Sequence, residues 1–120
     1  MASRGRGARV KGASFEREIA KLLSEKTGLD AKRGLGQARL GGSEVADAEV
    51  DYIHIEAKRQ IKCNIKAAMK QAIADSTNKK KPPVVITKDD FEPVLVTMLF
   101  DDWVEFFKCY LATQRMPSDE

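Results

Sequence analysis

The sequence predicts an α/β fold in which a mixed central β-sheet is flanked by helices. Three observations support it: two segments of the 120-residue chain repeat apolar side chains at helical spacing, the segment between them alternates apolar and polar residues, and two β-rich runs follow the second helix. A helical period indicates one apolar helix face, and alternation indicates a strand. Strands grouped between helices are typical of a sheet covered by helices. The predicted order is α-β-β-β-α-β-β-α.

The first helix is predicted over residues 14–27. Its apolar residues fall at i, i+4, i+7 and i+8, which places them on one helical face: Phe15, Ile19, Leu22 and Leu23. Ser14 is a suitable N-cap, and Gly28 is suited to the position just past the C-terminus.

A hairpin is predicted near the centre of the chain. A short strand over residues 30–33 and a Gly-rich loop precede it, and a strand near 44–50 is expected to pair with a strand over 52–58. In the second of these strands two sets of side chains alternate, which indicates a half-buried strand: Ile53, Ile55 and Ala57 on one face, and His54, Glu56 and Lys58 on the other. An exposed position is expected for His54.

The rest of the chain predicts a helix, a second hairpin and a final helix. The helix is expected near residues 62–76, and two β-rich runs, 83–90 and 91–100, are expected to pair around an acidic turn. Asp101 or Asp102 can cap the last helix. That helix carries a stripe for which core or dimer packing is expected rather than base stacking: Trp103, Phe106, Phe107, Tyr110 and Leu111.

Composition and segment lengths exclude several classes of protein. With 42% hydrophobic residues the chain is not composed like a disordered tail. No apolar run reaches the roughly 18 residues of a membrane span, and the Arg-rich start lacks the apolar region of a secretory signal. Cys63 and Cys109 match no zinc spacing and are too few for a disulfide framework.

We expect a cytoplasmic protein with a flexible basic arm over residues 1–12, one domain over 13–115 and a disordered tail over 116–120.

The net charge of +3 conceals an uneven distribution. Residues 1–40 hold ten Lys or Arg against four Asp or Glu, and residues 41–88 hold nine against six. Residues 89–120 hold two against eight. A basic majority over most of the chain indicates a surface that faces a polyanion, with an acidic, solvated region opposite.

Two carboxylates, Asp47 and Glu56, are predicted to converge across the central hairpin. If Asp47 lies on the neighbouring strand, its side chain comes within about 5 Å of Glu56. Two carboxylates this close repel, and a hard divalent cation such as Mg²⁺ or Mn²⁺ relieves the repulsion. Lys58 shares the face of Glu56 and is placed to stabilise charge on a phosphate. The pattern indicates a metal-dependent phosphodiesterase.

The segment KGASFEREIAKLL, residues 11–23, resembles the opening helix of the archaeal Holliday-junction resolvases and their small phage relatives, which are PD-(D/E)XK nucleases. The resemblance extends over about residues 11–100. It continues with Arg33 before the Gly-rich loop, then Asp47, then the run IEAK over residues 55–58. It implies the restriction-endonuclease-like fold of that superfamily.

The resemblance also implies roles for individual residues. The catalytic set is Glu16, Asp47, Glu56 and Lys58. The implied metal ligands are Asp47, Glu56, the carbonyl of Ala57, and Glu16 directly or through water. The implied DNA contacts are Arg17, Arg33, Gln37, Arg39, Lys11 and Gln71.

Two of these assignments have competitors in the sequence. Asp51 competes with Asp47, which here follows Ala46 where the family usually has Pro or a hydrophobic residue. Asp47 is preferred because its spacing to Glu56 fits a hairpin, whereas Asp51 falls in or beside the turn. Glu18 also lies near the family position of Glu16.

The resemblance implies a Mg²⁺-dependent endonuclease, with Mn²⁺ as a substitute, that is encoded by a phage or mobile element. The expected substrate is a Holliday junction or other branched DNA. Because paired cuts require two active sites, a homodimer is expected. The alternatives are a nuclease of the same superfamily that acts on flaps, ends or single strands, and a non-catalytic nucleic-acid-binding module.

Overall fold

The computed structural model describes residues 2–34 and 47–117, with side chains from Gly12 onward. Within these ranges the elements follow the predicted order, so the α/β class is confirmed. They are helix α1 (Ala2–Thr27), strands β1 (Lys32–Arg33), β2 (Ala48–Val50) and β3 (Ile53–Gln60), helix α2 (Ile65–Ser76), strands β4 (Pro83–Asp89) and β5 (Leu95–Met98), and helix α3 (Phe100–Arg115). No helix in these ranges combines the length and the hydropathy that crossing a membrane requires.

The described strands form one mixed sheet in the order β1-β2-β3-β4-β5. Both predicted hairpins are confirmed, because β2 pairs antiparallel with β3 and β4 pairs antiparallel with β5. Strands β3 and β4 are parallel over seven residue pairs, from His54 opposite Pro83 to Gln60 opposite Asp89. A parallel pair needs a long crossover connection, and α2 provides it.

Helices cover both faces of β3. On one face, Phe15 and Ile19 of α1 pack in a core that includes Ile55 and Ala57. On the other face, α2 packs against β4 through a second apolar cluster, Ala68, Ala72 and Val85. The prediction of a half-buried strand is therefore wrong, since every residue from His54 to Ala57 is buried.

Helix α1 is longer than its apolar period predicts. It begins at Ala2, so Ser14 lies inside the helix and is not its N-cap. The segment 2–12, predicted as an arm, is helical along its backbone; its flexibility stays a prediction. The predicted end of the helix is confirmed, because Gly28 follows with φ of 77° and its N–H donates to the Ser24 carbonyl.

The beginnings of the other two helices also differ from the prediction. Helix α2 begins after Asn64, whose side chain accepts a hydrogen bond of 3.1 Å from the Ala67 N–H. Helix α3 begins one residue before the predicted caps, with Leu99 as N-cap and no capping side chain among the described residues. Asp101 and Asp102 instead lie in its first turn, where negative charge stabilises the helix N-terminus.

The turn between β2 and β3 is built from Asp51 and Tyr52, with no glycine. Tyr52 adopts φ of 83°, a left-handed conformation that is unfavourable for a residue with a bulky side chain. Its side chain is 73% exposed. The backbone of the hairpin is therefore strained at Tyr52, in the turn that sets the register between β2 and β3.

Replacing Tyr52 with Asn is expected to raise the free energy of unfolding by about 0.5–1 kcal/mol, because Asn tolerates the left-handed region better. Urea denaturation of the metal-free protein measures the change. Tyr52→Phe is the control and should unfold with the wild type. Equal stabilities of the Asn and Phe variants would contradict the assignment of strain to this turn.

Candidate active site

The hairpin brings Asp47 next to Glu56. Ala48 pairs with Ile55, and the Asp47 N–H donates to the Ile55 carbonyl at 2.9 Å. The Asp47 Oδ2 accepts a 2.9 Å hydrogen bond from the Ala57 N–H, so its carboxylate is tied to the backbone of β3. Asp51 lies exposed in the turn. The structure therefore places Asp47 beside Glu56 and leaves Asp51 in the turn.

The Glu56 carboxyl is enclosed by protein. The residue has no exposed surface, and its Oε2 has no hydrogen-bonding partner in the described part of the chain. Burial, followed by repulsion from Asp47, raises the pKa of Glu56 from 4.5 to about 9, and the nearby Lys58 charge lowers it only in part. Without a cation, Glu56 therefore carries a proton at neutral pH.

Two further buried groups face Glu56. The His54 Nε2 lies 3.3 Å from the Glu56 Oε1, and Asp75 of α2 presents a carboxyl whose Oδ2 has no partner among the described residues. One ligand atom from each of the three residues lies within 4.8 Å of the others. Burial, with a smaller effect of Lys79, lowers the pKa of His54, so the imidazole is neutral and able to bind a cation.

The exposed position expected for His54 is wrong, and Asp75 is a buried residue of the site that was not among the predicted ones. His54 is 1% exposed because α2 covers the polar face of β3, which a strand pattern alone does not reveal. The sequence did contain a signal for Asp75. Asp75 comes seven residues after Ala68 and three after Ala72, so helical periodicity places all three on the same buried face of α2. An acidic residue at such a position is costly unless a partner or a cation compensates it.

These residues fit a divalent cation. The donors are one imidazole nitrogen and carboxylate oxygens, and two of the oxygens are buried without a hydrogen-bonding partner in the described residues. An uncompensated buried acid is unfavourable, and a cation between the acids removes both the repulsion and the missing contacts. Of the two sequence-predicted ligands, Glu56 belongs to this group, whereas Asp47 lies beside Glu56 and is not part of the group among the described residues.

Lys58 and Gln71 lie on the elements that carry the cluster. Lys58 is two residues beyond Glu56 on β3 and therefore on the same strand face, where it is half-buried. Gln71 is half-buried on α2, one helical turn before Asp75. Both positions are compatible with the predicted contacts to a phosphate or to DNA. The roles of Lys58 and Gln71 stay predictions.

Glu16 is placed differently. Its Oε2 accepts a 2.8 Å hydrogen bond from the Arg33 Nε, in an ion pair whose side chains are 16% and 33% exposed. Within the described residues, Glu16 is not part of the His54, Glu56 and Asp75 group. Its proposed role near the metal stays a prediction.

The remaining predicted DNA contacts are less defined. Arg17 is exposed on α1, as is Glu18, the competitor of Glu16. The side chain of Lys11, together with Gln37 and Arg39, lies outside the described residues.

The comparison with protein families gives a match over most of the chain. The model of the family described as "Phage putative PDDEXK endonuclease" matches residues 7–115 of the chain. No curated protein and no solved structure matches it. The match includes Asp47, His54, Glu56, Lys58 and Asp75, so the buried acids and the lysine lie inside the family domain.

The stability of the metal-free protein is expected to fall as the pH rises. The pKa of Glu56 is higher in the folded chain, about 9 against 4.5, so its contribution is fully present below about pH 4.5 and is lost as the pH approaches 9. The slope reaches at most about 1.4 kcal/mol per pH unit. Urea denaturation in EDTA between about pH 5 and 9 measures it.

Glu56→Gln is expected to flatten this slope, because a neutral amide has no proton to lose. Glu49→Gln, which replaces an exposed carboxylate on the adjacent strand, is the control and should keep the wild-type slope. If Glu56→Gln retains the full slope, the charge on Glu56 is not what destabilises the metal-free fold.

Proposed function

Since the chain belongs to this phage family of PD-(D/E)XK endonucleases, we propose that it is a metal-dependent enzyme that cuts branched DNA, with the four-way junction as its preferred substrate. The observation that carries the metal dependence is the buried convergence of Asp47 and Glu56 beside Lys58. The junction is proposed from the resemblance of residues 11–23 to the opening helix of the Holliday-junction resolvases.

The proposed site divides its tasks among the residues of the central hairpin. Asp47 and Glu56 hold Mg²⁺ or Mn²⁺, and the hydrogen bond from the Ala57 N–H fixes the Asp47 carboxylate toward its neighbour. A divalent cation supplies Lewis acidity there, which activates water and neutralises charge on the phosphate. Lys58, on the same face of β3, stabilises the negative charge that develops on the phosphate during in-line attack.

The proposal also includes a homodimer formed through α3. This helix lies entirely within the described residues, and none of its side chains is buried. Five aromatic side chains are 40–72% exposed: Phe100, Trp103, Phe106, Phe107 and Tyr110. Trp103 and Phe107 stack on each other with ring centroids 5.2 Å apart. An isolated helix of this length is marginal in water, so its apolar face calls for a partner.

The size and charge of this surface favour a second copy as that partner. At 150–250 Å² for each aromatic side chain, the exposed fractions amount to roughly 400–650 Å². This area is half or more of the ~800 Å² that each partner buries in a stable interface. Acidic residues in the first turn of α3 and Arg115 in its last turn are complementary when two copies pack antiparallel.

Glu56→Ala and Lys58→Ala are expected to lower metal-dependent cleavage of a synthetic four-way junction by at least about 10³-fold, because each removes part of the charge stabilisation. Junction binding in Ca²⁺ or EDTA should survive. Lys66→Ala, which removes an exposed lysine of α2, is the control for lost basic charge. Undiminished cleavage by both site variants would overturn the assignment.

The same assay tests the substrate. Four-way junction, flap, nicked duplex, single strand and linear duplex are digested side by side, with cuts mapped on every strand. Paired symmetric cuts in the junction support the proposal, and preferred cutting of a flap, an end or a single strand overturns the junction assignment. Tight, salt-sensitive binding without any metal-dependent cutting would identify a binding module instead.

The proposed dimer is tested by sedimentation. The double variant Trp103→Ala, Phe107→Ala is expected to weaken self-association by at least about 100-fold, because it removes the stacked centre of the apolar face. Phe91→Ala is the control, since Phe91 is fully exposed in the turn between β4 and β5. A wild-type protein that stays monomeric at micromolar concentration would contradict the proposal.

A further inference from the structure

We propose that His54 and Asp75 join Glu56 in a transition-metal centre, so that the protein binds Mn²⁺ and Co²⁺ in preference to Mg²⁺. The proposal deepens the proposed function, on which it rests for the role of the ion. The ligand set differs from the one that the sequence predicts, since it adds an imidazole from β3 and a carboxylate from α2.

The spacing of the three groups suits a single ion. Bonds of about 2.1 Å at right angles separate neighbouring ligand atoms by about 3 Å. The His54 Nε2 and the Glu56 Oε1 are 3.3 Å apart, and the ligand atom of Asp75 lies within 4.8 Å of both. A small inward movement of the Asp75 side chain would bring its ligand atom to a similar distance from the other two.

The burial of these groups requires a proton or a cation between the acids. His54, Glu56 and Asp75 are 1%, 0% and 7% exposed. A hydrogen bond between His54 and Glu56 uses the Glu56 Oε1 and leaves its Oε2, and the Asp75 Oδ2, without partners in the described residues. A buried acceptor left unpaired carries the full cost of its lost hydration. A divalent cation satisfies both acids and matches their combined charge.

The imidazole determines which ion is preferred. Mg²⁺ favours oxygen ligands and keeps several of its waters, which an enclosed site with a nitrogen donor does not accommodate well. Imidazole is a better ligand for first-row transition ions, and carboxylates accept Mn²⁺ as readily as Mg²⁺. Replacing the His54 imidazole should therefore reduce the preference for Mn²⁺ over Mg²⁺ more than it reduces the affinity for divalent cations in general.

The test is metal binding by the full chain without DNA, after removal of metal with EDTA. Wild-type protein should bind Mn²⁺ at least about tenfold more tightly than Mg²⁺, and Co²⁺ should give a visible absorption band. Bound Mn²⁺ should show ¹⁴N hyperfine coupling in pulsed EPR. Equal affinities for Mn²⁺ and Mg²⁺, or bound Mn²⁺ without nitrogen coupling, would overturn the proposal without reliance on any variant.

Variants then separate the two ligands. His54→Asn should weaken Mn²⁺ binding by about tenfold or more while Mg²⁺ affinity changes little, and Asp75→Asn should weaken both. Glu49→Gln is the control and should bind as the wild type does. Unchanged Mn²⁺ binding in both site variants would refute the ligand set. Selective Mn²⁺ binding without DNA cleavage would instead refute the proposed function and leave the metal centre standing.

Discussion

The burial of Glu56 between other ionisable groups is the constraint on which the rest of the site depends. Its carboxyl has no exposed surface, and Asp47 and Asp75 both face it. Placing acids together in an enclosed region costs free energy unless a proton or a cation compensates them. The fold does not avoid this arrangement: it encloses Glu56 between β3 and α2, the helix that carries Asp75. The site is therefore built at the expense of the stability of the metal-free chain.

The surrounding elements hold the acids in place through the backbone. The Asp47 carboxylate is bound to the Ala57 N–H, so the hairpin cannot shift register without losing this contact. On the other side, Asn64 caps the start of α2, the helix whose last turn carries Asp75. Rigid elements position ligands more precisely than loops do. The repulsion among the acids is thus opposed by hydrogen bonds that lie outside the cluster.

Local patterns predicted the part of the site that lies within one hairpin. The approach of Asp47 to Glu56 was expected on the condition that Asp47 lies on the neighbouring strand, because the register of a short hairpin fixes which residues face each other. Asp75 could not be placed in the same way, since its approach to β3 depends on how α2 crosses the sheet. The prediction that His54 is exposed was wrong for the same reason: the burial of His54 depends on where α2 packs. The start of α1 was also missed, because residues 2–12 carry no apolar period.

The described part of the chain departs from ordinary globular packing in two places: it buries polar atoms that lack partners, and it exposes apolar side chains that lack cover. Inside, carboxyl oxygens of Glu56 and Asp75 lack partners among the described residues; on the surface, the aromatic face of α3 lacks cover from that same part of the chain. Unsatisfied buried acids are relieved by a cation, and uncovered aromatic rings are relieved by apolar contact. Neither remedy can replace the other, because one is electrostatic and the other is the removal of apolar surface from water. The proposed ion and the proposed second copy would therefore each offset a separate cost in the described part of the chain.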